Sequence, residues 1–348
     1  MILEYDKSML ASIFGVPLFR ANQIRRWIFS RKVSDFNLMT DLSREFRLSL
    51  IERFGSVFHG KELLHEISDD FTEKLLIEWL DGERVECVLL RDDRGHRTAC
   101  ISTQVGCAMR CVFCASGMNG FVRNLTRGEI LEQILRLNIL LPSEERLTHI
   151  VVMGIGEPLL NLHSLLYALD EVTSVDGLDL SIRRVTISTV GIPAGIIRLA
   201  DYVKEGGKGY KLAISLHAPN NKIRSSIIPE NKIHNIQEIL NAADYYFKQT
   251  GRRITFEYTL IEGVNDRPEH AIELVNLLSG KTAIVNIIPL NPIKDSELKT
   301  PSKQVIEQFV NQLKSGGLQV KIRMRKGDKI NAACGQLRRN ATKNVTIQ

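Results

Sequence analysis

Three cysteines lie close together in the run Cys107-Ala-Met-Arg-Cys111-Val-Phe-Cys114. Thiolates at this C-x₃-C-x₂-C spacing on one short loop can hold a metal ion or an iron–sulfur cluster, and unrelated cysteines at such density are improbable. A closed zinc site needs four ligands, and no fourth Cys or His lies nearby in the sequence. Most four-iron clusters also use four cysteines, so three would leave one iron open to bind and activate a small molecule.

Other polar residues follow apolar, strand-like segments of the chain. The run Gly154-Ile155-Gly156-Glu157-Pro158 comes directly after one of them, where glycines let the backbone approach a ligand and a carboxylate can pair with an ammonium group. The ends of later segments carry Ser188, Ser215-Leu216-His217 and Asn291. If these segments are the parallel strands of a barrel, their ends converge on one mouth. Taken singly, each residue is explained equally well as part of a turn.

Apolar, β-branched runs recur along most of the chain and predict strands that begin near residues 98, 148, 184, 211, 254 and 283, with one more at 318–324. Helical stretches lie between them, at 128–141, 163–172, 235–249 and 268–278. This alternation predicts an α/β fold of βαβ units with a parallel sheet. Six units favour a partial (β/α)₆ barrel with the cysteine loop after its first strand, although periodicity alone does not separate a barrel from an open sheet.

Residues 1–90 show a different pattern of predicted secondary structure. Helical spacing predicts an α-rich unit, followed by a hairpin with Asp81-Gly82 at its turn. Basic residues gather in this unit: Arg20, Arg25, Arg26, Arg31 and Lys32. They indicate either a solvated helix face or a surface that contacts an anionic partner.

Composition narrows the class of protein. The 348 residues include 46 Lys and Arg against 40 Asp and Glu, and the net charge of +6 permits a partner such as RNA without requiring one. Hydrophobic residues at 44% and charged residues at 25% exclude disordered and fibrous proteins. No apolar run approaches the roughly 18–20 residues of a membrane span, and the N-terminus lacks an apolar signal segment, so we expect a cytoplasmic protein with no membrane partner.

The cysteine loop resembles the signature of the radical S-adenosylmethionine (SAM) superfamily. Together with Cys100 and Cys334 it resembles the RlmN/Cfr family of radical SAM RNA methyltransferases, in which these would be two further functional cysteines. The resemblance covers nearly the whole chain, through PLFRANQIRRWIF, RVECV, CISTQVGCAMRCVFCASGMNGFVRNLT, MGIGEPLLN, RRVTISTVGI, SLHAP, GVND, NIIPLNP and GDKINAACGQL.

The resemblance implies a fold, cofactors and ligands. It implies a partial (β/α)₆ barrel at 91–335, an N-terminal RNA-docking domain at 1–90 and a C-terminal tail at 336–348. A [4Fe–4S] cluster would be held by Cys107, Cys111 and Cys114. SAM, used twice per turnover, would be bound by Gly156, Glu157, Ser188, Ser215, Leu216, His217 and Asn291.

The resemblance also implies roles for single residues. Cys334 would take a methyl group from one SAM molecule, and a radical derived from a second SAM would activate that group for addition to adenine. Cys100 would then release the product through a transient disulfide with Cys334. Glu86 matches a family proton acceptor, although an ordinary strand carboxylate explains it equally well. Cys87 matches no family role and is interpreted as structural.

The implied substrate is carbon 2 of an adenine in 23S ribosomal RNA and in some transfer RNAs. Basic residues Arg20, Arg25, Arg26 and Lys32 would contact the RNA, an electron donor such as flavodoxin would reduce the cluster, and the protein would be a monomer. A Cfr-like carbon-8 methyltransferase that confers antibiotic resistance is the enzymatic alternative. A non-enzymatic alternative is an RNA-binding protein with a structural metal. The run Pro229-Glu230-Asn231-Lys232 departs from the family pattern, which leaves substrate contact in that loop in doubt.

Overall fold

The computed structural model describes residues 1–293, 296–323 and 326–338. The N-terminal unit is α-rich, as predicted. Its helices are α1 (Lys7–Phe14), α2 (Leu18–Arg25) and α3 (Arg44–Phe54), with short 3₁₀ or π segments at Ile2–Glu4, Arg26–Ser30 and Phe36–Leu38. The ring of Phe14 packs edge-on against Phe46 and Phe54, at centroid distances of 5.4 and 5.9 Å. These aromatic contacts pack α1 against α3, in a cluster that is continuous with the hydrophobic core of the barrel.

Antiparallel strands connect this unit to the rest of the protein. They are β1 (Lys61–Ile67), β2 (Glu73–Glu78) and β3 (Arg84–Arg91), and β3 pairs with β4 (Arg97–Cys100). The hairpin predicted around Asp81-Gly82 is confirmed as β2 and β3, with Gly82 in the left-handed region at φ +81°. Strand β1 was not predicted. Because β3 hydrogen-bonds to β4, the sheet runs continuously across the domain division expected at residue 90.

The main sheet continues as parallel strands. After a small two-stranded sheet of β5 (Gln104–Gly106) and β6 (Phe121–Asn124), it contains β7 (His149–Val152), β8 (Val185–Thr189), β9 (Lys211–Ser215), β10 (Ile254–Leu260), β11 (Ala283–Pro289) and β12 (Gln319–Ile322). Strands β4 and β7 to β12 are neighbours in that order and pair in parallel. Every strand predicted in this region is present. The sheet has two edges, at β1 and β12, so the barrel is partial rather than closed.

Helices connect the parallel strands: α4 (Arg127–Ile139), α5 (Leu162–Val172), α6 (Pro193–Lys204), α7 (Asn221–Ile227), α8 (Ile236–Thr250), α9 (Pro268–Leu278) and α10 (Lys303–Ser315). Short 3₁₀ segments lie at Ala115–Gly117, Pro158–Asn161, Ile182–Arg184, Pro229–Lys232 and Asp328–Ile330. Thr126 and Glu129 form a capping box that fixes the start of α4. The predicted helices correspond to α4, α5, α8 and α9, which confirms the α/β fold.

Two basic residues of the N-terminal unit hold it against the barrel. Arg25 is 6% exposed and forms an ion pair with Glu171 on α5. The ammonium of Lys32 donates to the carbonyls of Leu141, Pro142 and Glu145 at 2.8–3.0 Å, just beyond α4. The prediction that Arg25 and Lys32 contact RNA is therefore wrong, because both side chains are used to dock one part of the protein on another. Of the neighbouring side chains, Arg26 and Arg31 are exposed.

None of the helices in the described ranges has the length and apolar character of a membrane span. Of the C-terminal tail expected at 336–348, residues 339–348 lie outside the described residues.

Candidate active site

The three-cysteine loop begins at a position that only glycine can occupy. Gly106, the last residue of β5, has φ +75°, and a Cβ there would lie 1.9 Å from the carbonyl oxygen of Gly120. This close approach lets Cys107 N–H donate to that same carbonyl at 3.0 Å and turns the chain into the loop. The thiols of Cys107, Cys111 and Cys114 then face one cavity below the strand ends.

The three thiols are close enough to affect one another. Burial raises the pKa of Cys107 to about 12, and raises the pKa of Cys111 with further contributions from Cys114 and Cys107. Among the described residues, no three His, Cys, Asp or Glu side chains are grouped tightly enough for a single metal ion. A multi-iron cluster places each thiolate on a different iron and so spreads its ligands further apart.

A cavity, here called the first chamber, lies at the carboxyl ends of the parallel strands. Most of the residues predicted from strand ends line it: Gly156, Glu157, Ser188, Ser215, His217 and Asn291, together with the three loop cysteines and Cys334. Leu216 is fully buried and does not line the chamber. Strand-end position therefore brought these polar residues together, as barrel geometry requires.

Glu157 is a buried carboxylate inside this chamber. It is 2% exposed, and its two oxygens accept from the N–H groups of Leu159 at 3.0 Å and Val190 at 2.8 Å. Burial raises its pKa to about 7 against these hydrogen bonds. Gly156 before it has φ +113° and approaches Gln104 so closely that a Cβ would lie 2.7 Å from that side chain. A buried carboxylate of this kind is suited to binding a cationic group of a ligand.

His217 and Asn291 also present polar atoms to the chamber. His217 Nδ1 accepts from the N–H of Thr259 at 2.8 Å, and burial lowers the pKa of the ring to about 3. The neutral ring therefore carries its proton on Nε2. Asn291 donates to the carbonyl of Cys334 at 3.0 Å, while its own Oδ1 is buried without a hydrogen-bond partner. An unsatisfied buried acceptor indicates a donor that a bound ligand would supply.

Cys334 lies in the wall between the first chamber and a second one of about 620 Å³. Cys100, at the end of β4, lines only the second chamber. Burial raises the pKa of Cys100 to about 12, and the charge of a Cys334 thiolate would raise it further, so the two thiols lie close together. The tertiary structure thus brings together two cysteines that are 234 positions apart in the chain, as their numbers show.

Glu86, predicted as a proton acceptor, lines neither chamber. It is 5% exposed on β3, 3.1 Å from the ammonium of Lys74, and it accepts from the N–H of Arg338 at 2.7 Å. Lys74 also donates to the carbonyl of Ile330 at 2.6 Å. The pair therefore contacts the segment 330–338 on both sides of Cys334.

Several residues of the site were not predicted. Met153, Glu257 and Arg323 line the first chamber, and Met153 and Arg323 line the second as well. Arg323 directly follows β12, so the strand-end rule that selected Ser188 and Asn291 could have selected it. Glu257 lies within β10, where nothing in the sequence distinguishes it from an ordinary strand carboxylate. Nothing in the sequence distinguishes Lys74 as a residue that supports the site, because its partners lie far away in the chain.

The fold and the site together define a radical SAM protein. A family model described as the radical SAM superfamily matches residues 101–275. The crystal structure of a radical SAM methyltransferase from Sphaerobacter thermophilus superposes with a TM-score of 0.92 at 38% identity, over 97% of this chain and 99% of that one.

More similar sequences narrow the class to a family. A probable dual-specificity RNA methyltransferase RlmN from Rhodopirellula baltica is 53% identical over 326 residues, 94% of this chain and 86% of the relative. One from Thermotoga maritima is 45% identical over 326 residues, 93% of this chain and 92% of the relative. Residues 6–54 match a model of the ribosomal RNA large subunit methyltransferase N-terminal domain. The chain belongs to the RlmN family of dual-specificity RNA methyltransferases.

The donor groups present fit the cofactors of a radical SAM enzyme. Three thiols on one short loop, all lining one chamber, suit a [4Fe–4S] cluster with one open iron. Glu157 offers a buried carboxylate for the ammonium of SAM, and Asn291 Oδ1 offers an acceptor in need of a donor. Both groups belong to the first chamber.

Proposed function

We propose that this protein methylates carbon 2 of an adenine in 23S ribosomal RNA and in transfer RNA, with the carbon carried by Cys334 as an S-methyl group. One observation carries the proposal: Cys334 lines the chamber of the cluster loop and also the chamber that holds Cys100. A sulfur in that wall is accessible to SAM on one side and to a second thiol on the other. Ordinary SAM-dependent transfer to a nucleophilic atom would need no such pair of cysteines.

Cys334 performs the first step in this proposal. Its thiolate attacks the methyl carbon of SAM and S-adenosylhomocysteine leaves, because a thiolate is the nucleophilic form of cysteine. Carbon 2 of adenine is not nucleophilic, so it cannot take the methyl group of SAM directly. When bound, the cluster on Cys107, Cys111 and Cys114 supplies the electron that cleaves a second SAM, and the resulting radical activates the S-methyl group. After the carbon adds to carbon 2 of adenine, the adduct would lose one electron, which the oxidised cluster could accept, and the carbon-2 proton, which leaves the carbon joined to both Cys334 and adenine.

Cys100 performs the release step. Its thiolate attacks the sulfur of Cys334, and the disulfide forms as the bond between that sulfur and the new carbon breaks. The electron pair goes to the carbon, which takes up a proton and becomes the methyl group of the product. Glu157, His217 and Asn291 bind SAM in the first chamber.

Glu86 has two candidate roles. The role of proton acceptor requires access to the substrate, and its contacts with Lys74 and Arg338 support a second role in holding the segment that carries Cys334. A carboxamide at this position separates the two, because it can still accept from Arg338 N–H but cannot take up a proton.

RNA binding by the N-terminal unit is assigned to its exposed cations. Arg26 and Arg31 are exposed, and the guanidinium of Arg31 lies 3.9 Å from the ring centroid of Trp27. Such a cation and aromatic surface suits a nucleic-acid backbone with unpaired bases. Arg20 lies beside them but is hydrogen-bonded to Gln23 at 2.9 Å. We further propose a monomer that takes electrons from a small donor protein such as flavodoxin.

Nucleoside mass spectrometry tests the proposed product. Ribosomal and transfer RNA from a deletion strain should lack 2-methyladenosine, and the purified protein should restore it anaerobically with SAM and a reductant. Appearance of 8-methyladenosine instead would support the carbon-8 alternative and contradict methylation of carbon 2. A strain whose adenine nucleosides are unchanged would refute the proposed substrate.

A further inference from the structure

Arg323 is placed between the two functional cysteines and has no assigned role. It directly follows β12, and its N–H donates to the carbonyl of Ile287 at 2.9 Å, which extends the pairing of β12 with β11. Its side chain lines both chambers. Nη1 lies 3.3 Å from the sulfur of Met153, and Cys334 lines the same two chambers as Arg323.

The charge of Arg323 acts on three groups. The guanidinium interacts with Cys334, with Cys100 and with Glu257, and these interactions raise the pKa of Arg323. Glu257 is 5% exposed and is held by Asn286 Nδ2 at 2.8 Å, so it partly compensates the cation from the side of the first chamber. Cys100 lines the second chamber, and Cys334 lines both. Because a nearby cation stabilises an anion, the arrangement favours a negative charge on sulfur.

Cys100 is the thiol whose charged form needs stabilisation. Burial raises its pKa to about 12, and Arg323 opposes that effect. The other titratable side chains near Cys100 are Cys87 on β3, Cys334, and Lys326 in the second chamber. Lys326 donates to the carbonyl of Arg91, and both cysteines would repel a thiolate. Among the described residues, Arg323 is therefore the cation best placed to stabilise the charged form of Cys100.

We propose that Arg323 is a positioning residue shared by both cysteines, which holds the sulfur of Cys334 in the wall between the chambers and stabilises the thiolate of Cys100 during the release step. This role rests on the proposed function. In that step Cys100 loses its proton to solvent and forms the S–S bond while the bond from Cys334 sulfur to carbon breaks. The two sulfurs are oxidised to the disulfide, and the carbon is reduced to a methyl group with uptake of one proton. No other oxidant or reductant is required.

Alkylation of Cys100 tests the proposal without SAM or RNA. Protein purified with its cluster is treated with iodoacetamide from pH 7 to 10, and the modified Cys100 peptide is quantified by mass spectrometry. Arg323→Met should slow the modification of Cys100 at pH 8 by about tenfold and move the profile to higher pH, since only the thiolate reacts. Arg323→Lys keeps the charge and should restore most of the rate.

Cys87 provides the internal control, because it is fully buried and lines neither chamber. If Arg323 were merely structural, Arg323→Met and Arg323→Lys would fail alike and Cys87 would become reactive. An unchanged Cys100 profile in Arg323→Met overturns the proposal. A wild-type protein that shows the expected profile but forms no methyladenosine would refute the proposed function and leave the electrostatic role of Arg323 intact.

Discussion

The ammonium of Lys74 lies 3.1 Å from the carboxylate of Glu86, and each of these buried groups also binds one end of the segment that carries Cys334. Lys74 contacts the carbonyl of Ile330 and Glu86 contacts the N–H of Arg338. Lys74 on β2 and Glu86 on the neighbouring strand β3 thus contact the chain on both sides of Cys334, the proposed methyl carrier. Neither side chain needs to touch the substrate to determine where that sulfur lies.

Loss of Lys74 should destabilise the protein in a pH-dependent way. Both side chains of the pair are 6% exposed, so Lys74→Met leaves a buried carboxylate without its cation and should cost about 3 kcal/mol. Burial already raises the pKa of Glu86 while Lys74 opposes the rise, so the variant should raise it further. A carboxyl whose pKa is raised by folding favours the folded state at low pH. The loss should therefore be larger at pH 8 than at pH 5.5 in urea unfolding.

The contacts of Lys74 and Glu86 with the segment 330–338 should also matter for methylation of Cys334. Peptide mass spectrometry should find less S-methylcysteine at this residue in Lys74→Met, and Lys74→Arg should retain it. Glu86→Gln should also retain it, because the amide oxygen still accepts from Arg338 N–H. If Glu86→Gln loads the methyl group but forms no product, the proton-acceptor role is supported. An unchanged amount of S-methylcysteine in Lys74→Met would contradict a role of these contacts in positioning Cys334.

Replacement of the two functional cysteines should give different failures. Cys334→Ala removes the carrier, so neither protein methylation nor RNA methylation should occur. Cys100→Ala keeps the carrier but lacks the thiol that releases it, so RNA should stay covalently attached to Cys334. Denaturing gels should show a band shift that depends on RNA and is trimmed by nuclease. Cys87→Ala is the matched control, and normal turnover by Cys100→Ala would rule out the release step.

The three loop cysteines should bind iron together. Anaerobically purified protein should be brown and contain about four irons per chain. Replacement of Cys107, Cys111 and Cys114 by Ala should abolish iron binding and SAM cleavage together. Stoichiometric zinc in active protein without iron would contradict the cluster assignment.

Glu157→Gln should weaken SAM binding while leaving the iron content unchanged. The variant removes the negative charge that faces the ammonium group, and a hydrogen bond to a charged group contributes about 1.5–3 kcal/mol. We expect about 10- to 100-fold weaker binding in equilibrium dialysis under anaerobic conditions. Glu307→Gln is a suitable control, because Glu307 is exposed on α10 and does not line the first chamber. Equal affinity in wild type and Glu157→Gln would exclude the ammonium contact.

Adjacent arginines of the N-terminal unit should behave differently. Arg26→Glu combined with Arg31→Glu should weaken RNA binding and reduce its dependence on salt, since these exposed cations release counterions on binding. Arg25→Glu should instead lower stability, because it places a carboxylate against Glu171 inside the protein. Filter binding at several salt concentrations and thermal unfolding separate the two effects. RNA affinity that is unaffected at low salt in the double variant would exclude this surface.

The amino-acid sequence by itself predicted the parallel strands and most of the polar residues that line the first chamber. Strand periodicity gave every parallel strand from β4 to β12, because residues buried on both faces of a sheet form continuous apolar runs. Strand ends then selected Ser188, Asn291 and Glu157, since parallel strands present their carboxyl ends on one side. Residue type and spacing in the cysteine loop indicated a site for a metal ion or an iron–sulfur cluster.

Only the tertiary structure decided which charged side chains face solvent, which face the site and which hold the fold together. Arg25 and Arg26 are adjacent and chemically identical, yet one is buried against α5 and the other is exposed. Lys74 contacts Ile330, which lies 256 positions further along the chain. Local patterns report how a residue lies on its own helix or strand, whereas these partners depend on how distant elements pack. The position of Cys334 between two chambers is of this second kind, because it follows from the folding of the C-terminal segment onto β3.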